Sequence, residues 1–368
     1  MRVCGVICEY NPFHRGHALH LEHARALSGA HYVVCAMSGS VTQRGSFARH
    51  DKWTRAHAAL LGGADLVLEL PARFACSGAQ DFAAGGVSLL ASLGVLTHLS
   101  FGCEADSLPY LKAAAAALSG ESPVFRQALR EGLDAGLPYP RARARAAQAA
   151  SGMENLEAVI SNPNAALAIE YLRALPESIV PVPVKRQGCG YHEQALSELA
   201  SATAVRAAFS RGDTQSALDA LPIPQRFARS EALGDVHAEE ALTQALLYRL
   251  RTMTAQELAQ IEGVEEGLEH RFLAAARTAS SRDELILSVK SKRSTYARVL
   301  GFKKSAAPLL RAVKDSASIP LVTKAADYDR ADPLFALDVR AQDLWSLGCA
   351  SAQLRGAGRD FTTSPIIL

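Results

Sequence analysis

The chain has no apolar run near the length of a membrane span, so a helical membrane protein is not the expected class. It begins directly on strand-like residues, Arg2-Val3-Cys4-Gly5-Val6-Ile7, and no secretory leader is expected. No internal repeat and no low-complexity tract beyond an alanine bias is present, which argues against repeat architectures and disordered tails. The seven cysteines are odd in number and scattered, so no disulfide framework is expected; they read as reduced core thiols of a cytosolic protein. The net charge of +2 names no partner by itself. Basic residues do cluster at Arg141, Arg143 and Arg145, and again at Lys290, Lys292, Arg293, Arg298, Lys303 and Lys304. Such clusters suit nucleic acid and equally suit solvated helix faces. What is present is 368 residues with 49% hydrophobic and 21% charged content, enough for two domains and a sizeable core.

The most informative stretch is Ile7-Cys8-Glu9-Tyr10-Asn11-Pro12-Phe13-His14-Arg15-Gly16-His17. It follows a short apolar strand and opens a helix. Free N–H groups and the positive dipole end of that helix make an anion site. Gly16 leaves room for a phosphate or an adenine against the backbone. His14 and His17, three residues apart, can face one bound group and donate to its oxygens. Histidines recur every three residues at 14, 17, 20 and 23, which raises a metal site as an alternative. Each step of three drifts about 60° around a helix, so His14 and His23 are expected on opposite sides. No carboxylate or Cys sits at a matching spacing, and no metal site is expected there. Surface histidines without a ligand are the third reading.

The first hundred residues alternate strand and helix. Arg2–Cys8, His31–Met37, Leu66–Leu70 and Thr97–Phe101 read as strands. His17–Leu27, Lys52–Leu61 and Ala83–Leu93 read as helices. Continuous apolar strands with helical crossovers imply an α/β fold with a parallel sheet covered on both faces. Ligands in such sheets sit beyond the strand C-termini, where Asn11–Gly16, Ser38–Gly45 and Gly102–Asp106 would line one crevice. Residues 107–150 read as a helical, Arg- and Ala-rich insertion. Ile179–Val184 is a further strand whose Pro181 and Pro183 favour a sheet edge. Ser201-Ala202-Thr203 caps a helix from about Ala204 to Ser210, and its hydroxyls with Arg206 form a second anion-site candidate. Arg186, at a strand end, is another phosphate clamp candidate. Leu221–Pro224 reads as a boundary, and the chain beyond Glu231 as mostly helical.

Taken together, Glu9-Tyr10-Asn11-Pro12-Phe13-His14-x-Gly16-His17, Met37-Ser38-Gly39 with Gln43-Arg44-Gly45, Lys52-Trp53-x-Arg55-Ala56, Gly63-Ala64-Asp65-Leu66-Val67-Leu68-Glu69-Leu70-Pro71, Phe101-Gly102, Asn164 with Glu170-Tyr171, Gly190-Tyr191-His192, Ser201-Ala202-Thr203 with Arg206, and Lys290-x-Lys292-Arg293 resemble the tRNA(Met) cytidine acetate ligase family of the His-x-Gly-His nucleotidyltransferase superfamily. Two places depart from the family pattern. Val41 stands where an aromatic is expected, and Ser46-Phe47 where Glu-Pro is.

The resemblance implies a Rossmann-like nucleotidyltransferase domain over residues 1–222 and a mainly α-helical tRNA-binding domain over 223–368. It implies an ATP-dependent ligase of the cytoplasm. Acetate attacks the α-phosphorus to give acetyl-adenylate, and the acetyl group passes to N4 of the wobble cytidine of elongator tRNA(Met). Neither a membrane nor DNA is an expected partner. ATP and Mg²⁺ are the implied cofactors. Ile7, Cys8, Glu9, Tyr10, Asn11, Pro12, Phe13, His14, Arg15, Gly16, His17, His20, Gly102, Arg186, and Asn162 or Asn164 are the implied ATP contacts. Ser201, Thr203 and Arg206 would hold the leaving pyrophosphate, with His14, His17 and Arg206 as catalytic groups. The acetate pocket is expected between the Asn11–Gly16 turn and the Ser38–Gly45 loop. Two other classes stay open: a nucleotidylyltransferase acting on a small metabolite, and a non-enzymatic RNA-binding protein.

Overall fold

The computed structural model describes residues 1–103, 108–119, 122–137, 139–185, 200–238, 241–261, 269, 272–273, 276–277, 297–317, 321–323, 325, 328–329 and 332–368. Five parallel strands form its centre: β1 (Val3–Cys8), β2 (Tyr32–Ser38), β3 (Leu66–Leu70), β4 (His98–Cys103) and β5 (Val180–Lys185). Their spatial order is β5-β4-β1-β2-β3, so the order reverses between β1 and β4. That reversal is where a doubly wound sheet opens its crevice. β5 takes the edge position beside β4, with Pro181 and Pro183 opposite Leu99 and Phe101. An edge strand tolerates the missing N–H groups.

Alternation along each strand splits the core in two. Val3, Val34, Ala36, Leu66 and Leu68 face one way and pack with helices α4 (Ala79–Ala91), α5 (Leu108–Ser119) and α9 (Pro163–Ala174). Cys4, Val6, Val33, Cys35, Met37 and Val67 face the other way, onto α1 (Arg15–Ser28), α2 (Lys52–Leu61) and α10 (Ala202–Ser210). Period-two burial on both faces is what a covered parallel sheet requires.

The sheet does not stop at residue 222. Strand β6 (Ala297–Phe302) runs antiparallel to β3, with Leu66 opposite Phe302 and Glu69 opposite Arg298. β7 (Leu321–Val322) and β8 (Ile366–Ile367) pair with β6 in turn. The stretch read as mostly helical therefore also caps the β3 edge with strands. Arg298, grouped above with a basic cluster, is a strand residue; Lys290, Lys292 and Arg293 lie outside the described residues.

Polar contacts bind this later chain to the loop that follows β2. Trp345 Nε1 donates to Ala48 O at 2.6 Å, and Ser40 Oγ donates to Gln342 Oε1 at 2.7 Å. Arg49 forms two hydrogen bonds of 2.7 Å to Glu231, and His50 Nε2 lies 2.9 Å from the same carboxylate. Burial opposes ionisation of Glu231, but the hydrogen bonds from Arg49 and His50 prevail and hold its carboxyl at about 2. Lys52, fully buried, pairs with Glu69 at 2.8 Å and with Asp360 at 2.8 Å. A buried ammonium needs such partners.

Candidate active site

A cavity of about 300 Å³ opens at the C-terminal ends of β1, β4 and β5. Ile7 and Cys8 from β1, Phe101 and Gly102 from β4, and Val184 and Lys185 from β5 line it. A shallower depression of about 630 Å³ lies along the outer face of α1, around Arg15, Leu21, Arg25 and Gly63. The first is the candidate site, because it is more enclosed and sits at the strand-order reversal where polar groups converge.

One side of the cavity is the N-terminus of α1. His14 is the N-cap, in extended conformation, and its Nδ1 accepts the Gly16 N–H at 3.1 Å. His17 Nδ1 accepts the His14 N–H at 3.3 Å. The sequence thus builds a capping box from two histidines. The rings stack with centroids 3.6 Å apart and 26° between planes. An Nδ1 that accepts a hydrogen bond places the neutral ring's proton on Nε2. Both imidazoles are thereby set as Nε2–H donors. A Cβ on Gly16 would come 3.0 Å from His14 Cε1 and 3.2 Å from Nδ1, so glycine here keeps room for the capping ring.

The turn leading into α1 is held from behind. Tyr10 is buried with φ 49°, a left-handed conformation that costs energy for a bulky residue. Phe13 is fully buried, and its ring meets Tyr10 edge-on at 4.9 Å. Arg55, fully buried on α2, donates to the carbonyls of Glu9 at 2.6 Å, Ser38 at 3.0 Å and His50 at 3.1 Å, and also to Gly39 O. The Glu9, Ser38 and Gly39 carbonyls lie where the chain leaves β1 and β2 and that of His50 just before α2, and buried acceptors there need a donor. Burial brings the guanidinium down to about 10, still protonated at neutral pH.

The opposite side is the start of α10. Ser201 Oγ caps the helix by accepting the Ala204 N–H at 3.2 Å. Arg206 Nη1 donates to Asn11 O at 2.6 Å and its Nη2 to Thr203 Oγ1 at 3.2 Å. Arg206 therefore ties the turn that leads into α1 to the start of α10. A loop forms the third wall: Thr42, Gln43, Arg44 and Ser46 line the cavity. The loop closes through a Thr42 N–H bond to Ser46 O at 2.8 Å and a left-handed Gly45 at φ 72°. Gln43 N–H donates to Glu9 Oε1 at 2.6 Å, and Arg49 N–H to Asn11 Oδ1 at 3.0 Å, which anchors the loop to the β1 turn. Val41 and Phe47 form an antiparallel bridge. Bridged residues share a face, so the two departures from the family pattern are neighbours.

Of the residues read from the sequence, Ile7, Cys8, Glu9, Tyr10, Asn11, His14, Gly16, His17, His20, Gly102, Asn164, Ser201, Thr203 and Arg206 line the cavity. Phe13 packs in the core behind it. Pro12 follows a cis peptide bond in the same turn. Arg15 turns outward and donates to Asp219 O at 3.1 Å. Asn162 is the N-cap of α9, accepting N–H groups from Asn164 and Ala165, while Asn164 faces the cavity. Arg186 lies outside the described residues. His23, expected opposite His14, also lines the cavity. His14 precedes the helix, so helical phase counting does not apply to it, and the cavity runs on along α1 towards β5. His20 Nε2 lies 3.1 Å from Ser100 Oγ of β4. Among the described residues, no three His, Cys, Asp or Glu side chains are grouped to hold a metal ion.

Sequence reasoning missed the apolar wall of Phe82, Leu167 and Tyr171. These residues lie on helices of the opposite sheet face, and only the topology brings them in. Burial raises the Cys8 thiol and the Tyr10 and Tyr171 phenols, so all three stay neutral.

The sequence model of the HIGH Nucleotidyl Transferase family matches residues 1–299 and 293–360. The tRNA(Met) cytidine acetate ligase of Acetivibrio thermocellus is 34% identical, with all of both chains covered. That of Caldanaerobacter subterraneus is 36% identical over 94% of this chain and 95% of the relative. The apo crystal structure of Thermotoga maritima TmcAL superposes with a TM-score of 0.91 at 31% identity, covering 100% of each chain. The structure of the same protein bound with alpha-thio ATP gives 0.88 at 30% identity, again over 100% of each chain. Full-length likeness in sequence and fold, with the His-x-Gly-His turn at the centre of the cavity, places this chain in the tRNA(Met) cytidine acetate ligase family of HIGH nucleotidyl transferases.

Proposed function

We propose that the protein is an ATP-dependent acetate ligase, forming acetyl-adenylate and transferring its acetyl group to N4 of the wobble cytidine of elongator tRNA(Met). The observation that carries the reading is the convergence of two helix N-termini, those of α1 and α10, on one cavity bridged by Arg206. Two such termini suit a chain of phosphates. The Nε2–H groups of His14 and His17 stabilise charge on the α-phosphate as acetate attacks it in line. Ser201, Thr203 and Arg206 hold the departing pyrophosphate. Positioning supplies much of the rate.

ATP fits this site by its chemistry. Gly102 and Asn164 border the cavity beside the apolar wall of Phe82, Leu167 and Tyr171, which offers a surface for a base. The acid substrate takes the side between the β1 turn and the loop carrying Thr42, Gln43 and Arg44. Mg²⁺ fits only as an ion carried on the nucleotide's phosphates, with Glu9 the one carboxylate among the lining residues described. It would neutralise developing charge there. The stretch 223–368 supplies surface for the anticodon arm, and the protein works in the cytoplasm with its tRNA. The likeness to an alpha-thio ATP-bound structure supports the nucleotide reading.

The test is ATP–pyrophosphate exchange with and without acetate, followed by acetyl transfer to tRNA(Met). Exchange that needs acetate, and acetyl appearing on the cytidine, is the expected result. Exchange driven by a different small metabolite would return the site to the nucleotidylyltransferase class.

A further inference from the structure

Acetyl transfer needs a proton acceptor that the phosphate chemistry does not. The lone pair of an exocyclic cytosine amine is delocalised into the ring, so the amine must lose a proton as it attacks the acyl carbon. Histidine is the commonest general base, and four histidines line the cavity. The hydrogen bonds of His14 and His17 disfavour that role, and position disfavours it for the other two. Nδ1 of His14 and Nδ1 of His17 are occupied by backbone N–H groups, which sets Nε2 of each as a donor. His20 is held at β4, its Nε2 3.1 Å from Ser100 Oγ, on the other side of β1 from β2 and the loop that follows it. His23 lies six residues beyond His17, about 9 Å further along the helix.

Glu9 is the only carboxylate lining the cavity among the described residues. It sits between the β1 turn and the Thr42–Ser46 loop, on the side assigned to the acid. It is fixed twice: its carbonyl accepts from Arg55 at 2.6 Å, and Oε1 accepts the Gln43 N–H at 2.6 Å. A carboxylate oxygen has several lone-pair directions, so capacity to accept a proton remains.

We infer that Glu9 is the general base of acetyl transfer. In that step the N4–C(acyl) bond forms and the bond from the acyl carbon to the adenylate oxygen breaks. The electron pair leaves on the AMP phosphate, and the N4 proton passes to the Glu9 carboxylate and from there to water. The inference rests on the acetate ligase reading above.

The experiment compares the full-length wild type with Glu9→Gln, whose amide oxygen can still accept the Gln43 N–H. Two rates are measured: acetate-dependent pyrophosphate exchange and acetyl transfer to tRNA. General bases contribute about 10²–10⁴-fold, so the ratio of transfer to exchange should fall at least about 100-fold. Hydroxylamine, basic enough to attack acetyl-adenylate unaided, should restore acyl transfer by the variant to the pace of its own exchange. Transfer and exchange falling together, or transfer to tRNA unchanged, would overturn the assignment. Failure of hydroxylamine to rescue would also overturn it, because the block would then not lie in proton removal from the attacking amine. Absence of acetate-dependent exchange in the wild type would instead refute the ligase reading.

Discussion

His14 carries two separable duties, and two substitutions separate them. It caps α1 through Nδ1 and presents Nε2–H to the cavity. His14→Ala removes both. Losing a cap costs about 0.5–2 kcal/mol, which in a cooperative unit larger than 250 residues is at most about 2 °C of melting temperature per kcal/mol. Losing a preorganised donor to the reacting phosphate costs about 100- to 1000-fold in rate. His14→Asn keeps an N-cap of the best kind while removing the imidazole. The alanine variant should therefore be both less stable and inactive in acetate-dependent exchange, and the asparagine variant inactive but near wild-type in stability. Thermal unfolding and pyrophosphate exchange on the three proteins decide it. Exchange by His14→Asn within a few-fold of wild type would refute the donor role. Equal stability of all three proteins would refute the capping role.

Gly16→Ala should raise helix propensity yet slow adenylation, because the new Cβ meets the His14 ring at 3.0 Å; a variant with full exchange activity would show that the ring tolerates displacement. Glu231 has a folded pKa of about 2, below its ordinary 4.5, so its stabilising contribution is complete above about pH 4.5 and drains away as pH falls towards 2. In urea unfolding, wild type should exceed Glu231→Gln at neutral pH and the gap should close across that window; a pH-independent gap refutes the linkage. Neutralising Lys290, Lys292, Arg293 and Arg298 should spare ATP binding and flatten the log–log salt dependence of tRNA binding, by about 0.7–0.9 for each phosphate these side chains neutralise. An unchanged slope would show these charges to be merely solvated.

Local signals made the centre of the sheet legible. Leu66–Leu70 and Lys52–Leu61 have the bounds the sequence suggests, and the other strands shift by one or two residues. The edge position of β5 could be read from two prolines, and the cap at Ser201 from one hydroxyl. What escaped was long-range. Nothing near Ala297–Phe302 says that it pairs with Leu66–Leu70, more than two hundred residues away. Nor does α1 by itself reveal that Phe82 and Tyr171 complete its cavity. The histidine spacing announced the site but not its hydrogen bonds, since which nitrogen faces outward depends on backbone N–H groups only the fold positions.

The antiparallel strand β6 makes the two halves of the chain one physical object. A fragment ending at residue 222 would expose the β3 edge as a template for other chains, and would strand the Lys52 ammonium without Asp360. The loop beside Glu9 would lose Trp345, Gln342 and Glu231 together. A fragment of residues 1–222 is therefore not expected to carry out adenylation on its own. Any shift of the later chain on meeting a large nucleic acid would be felt mechanically at the wall of the small-molecule site, and the two chemical steps would have to evolve as a single unit.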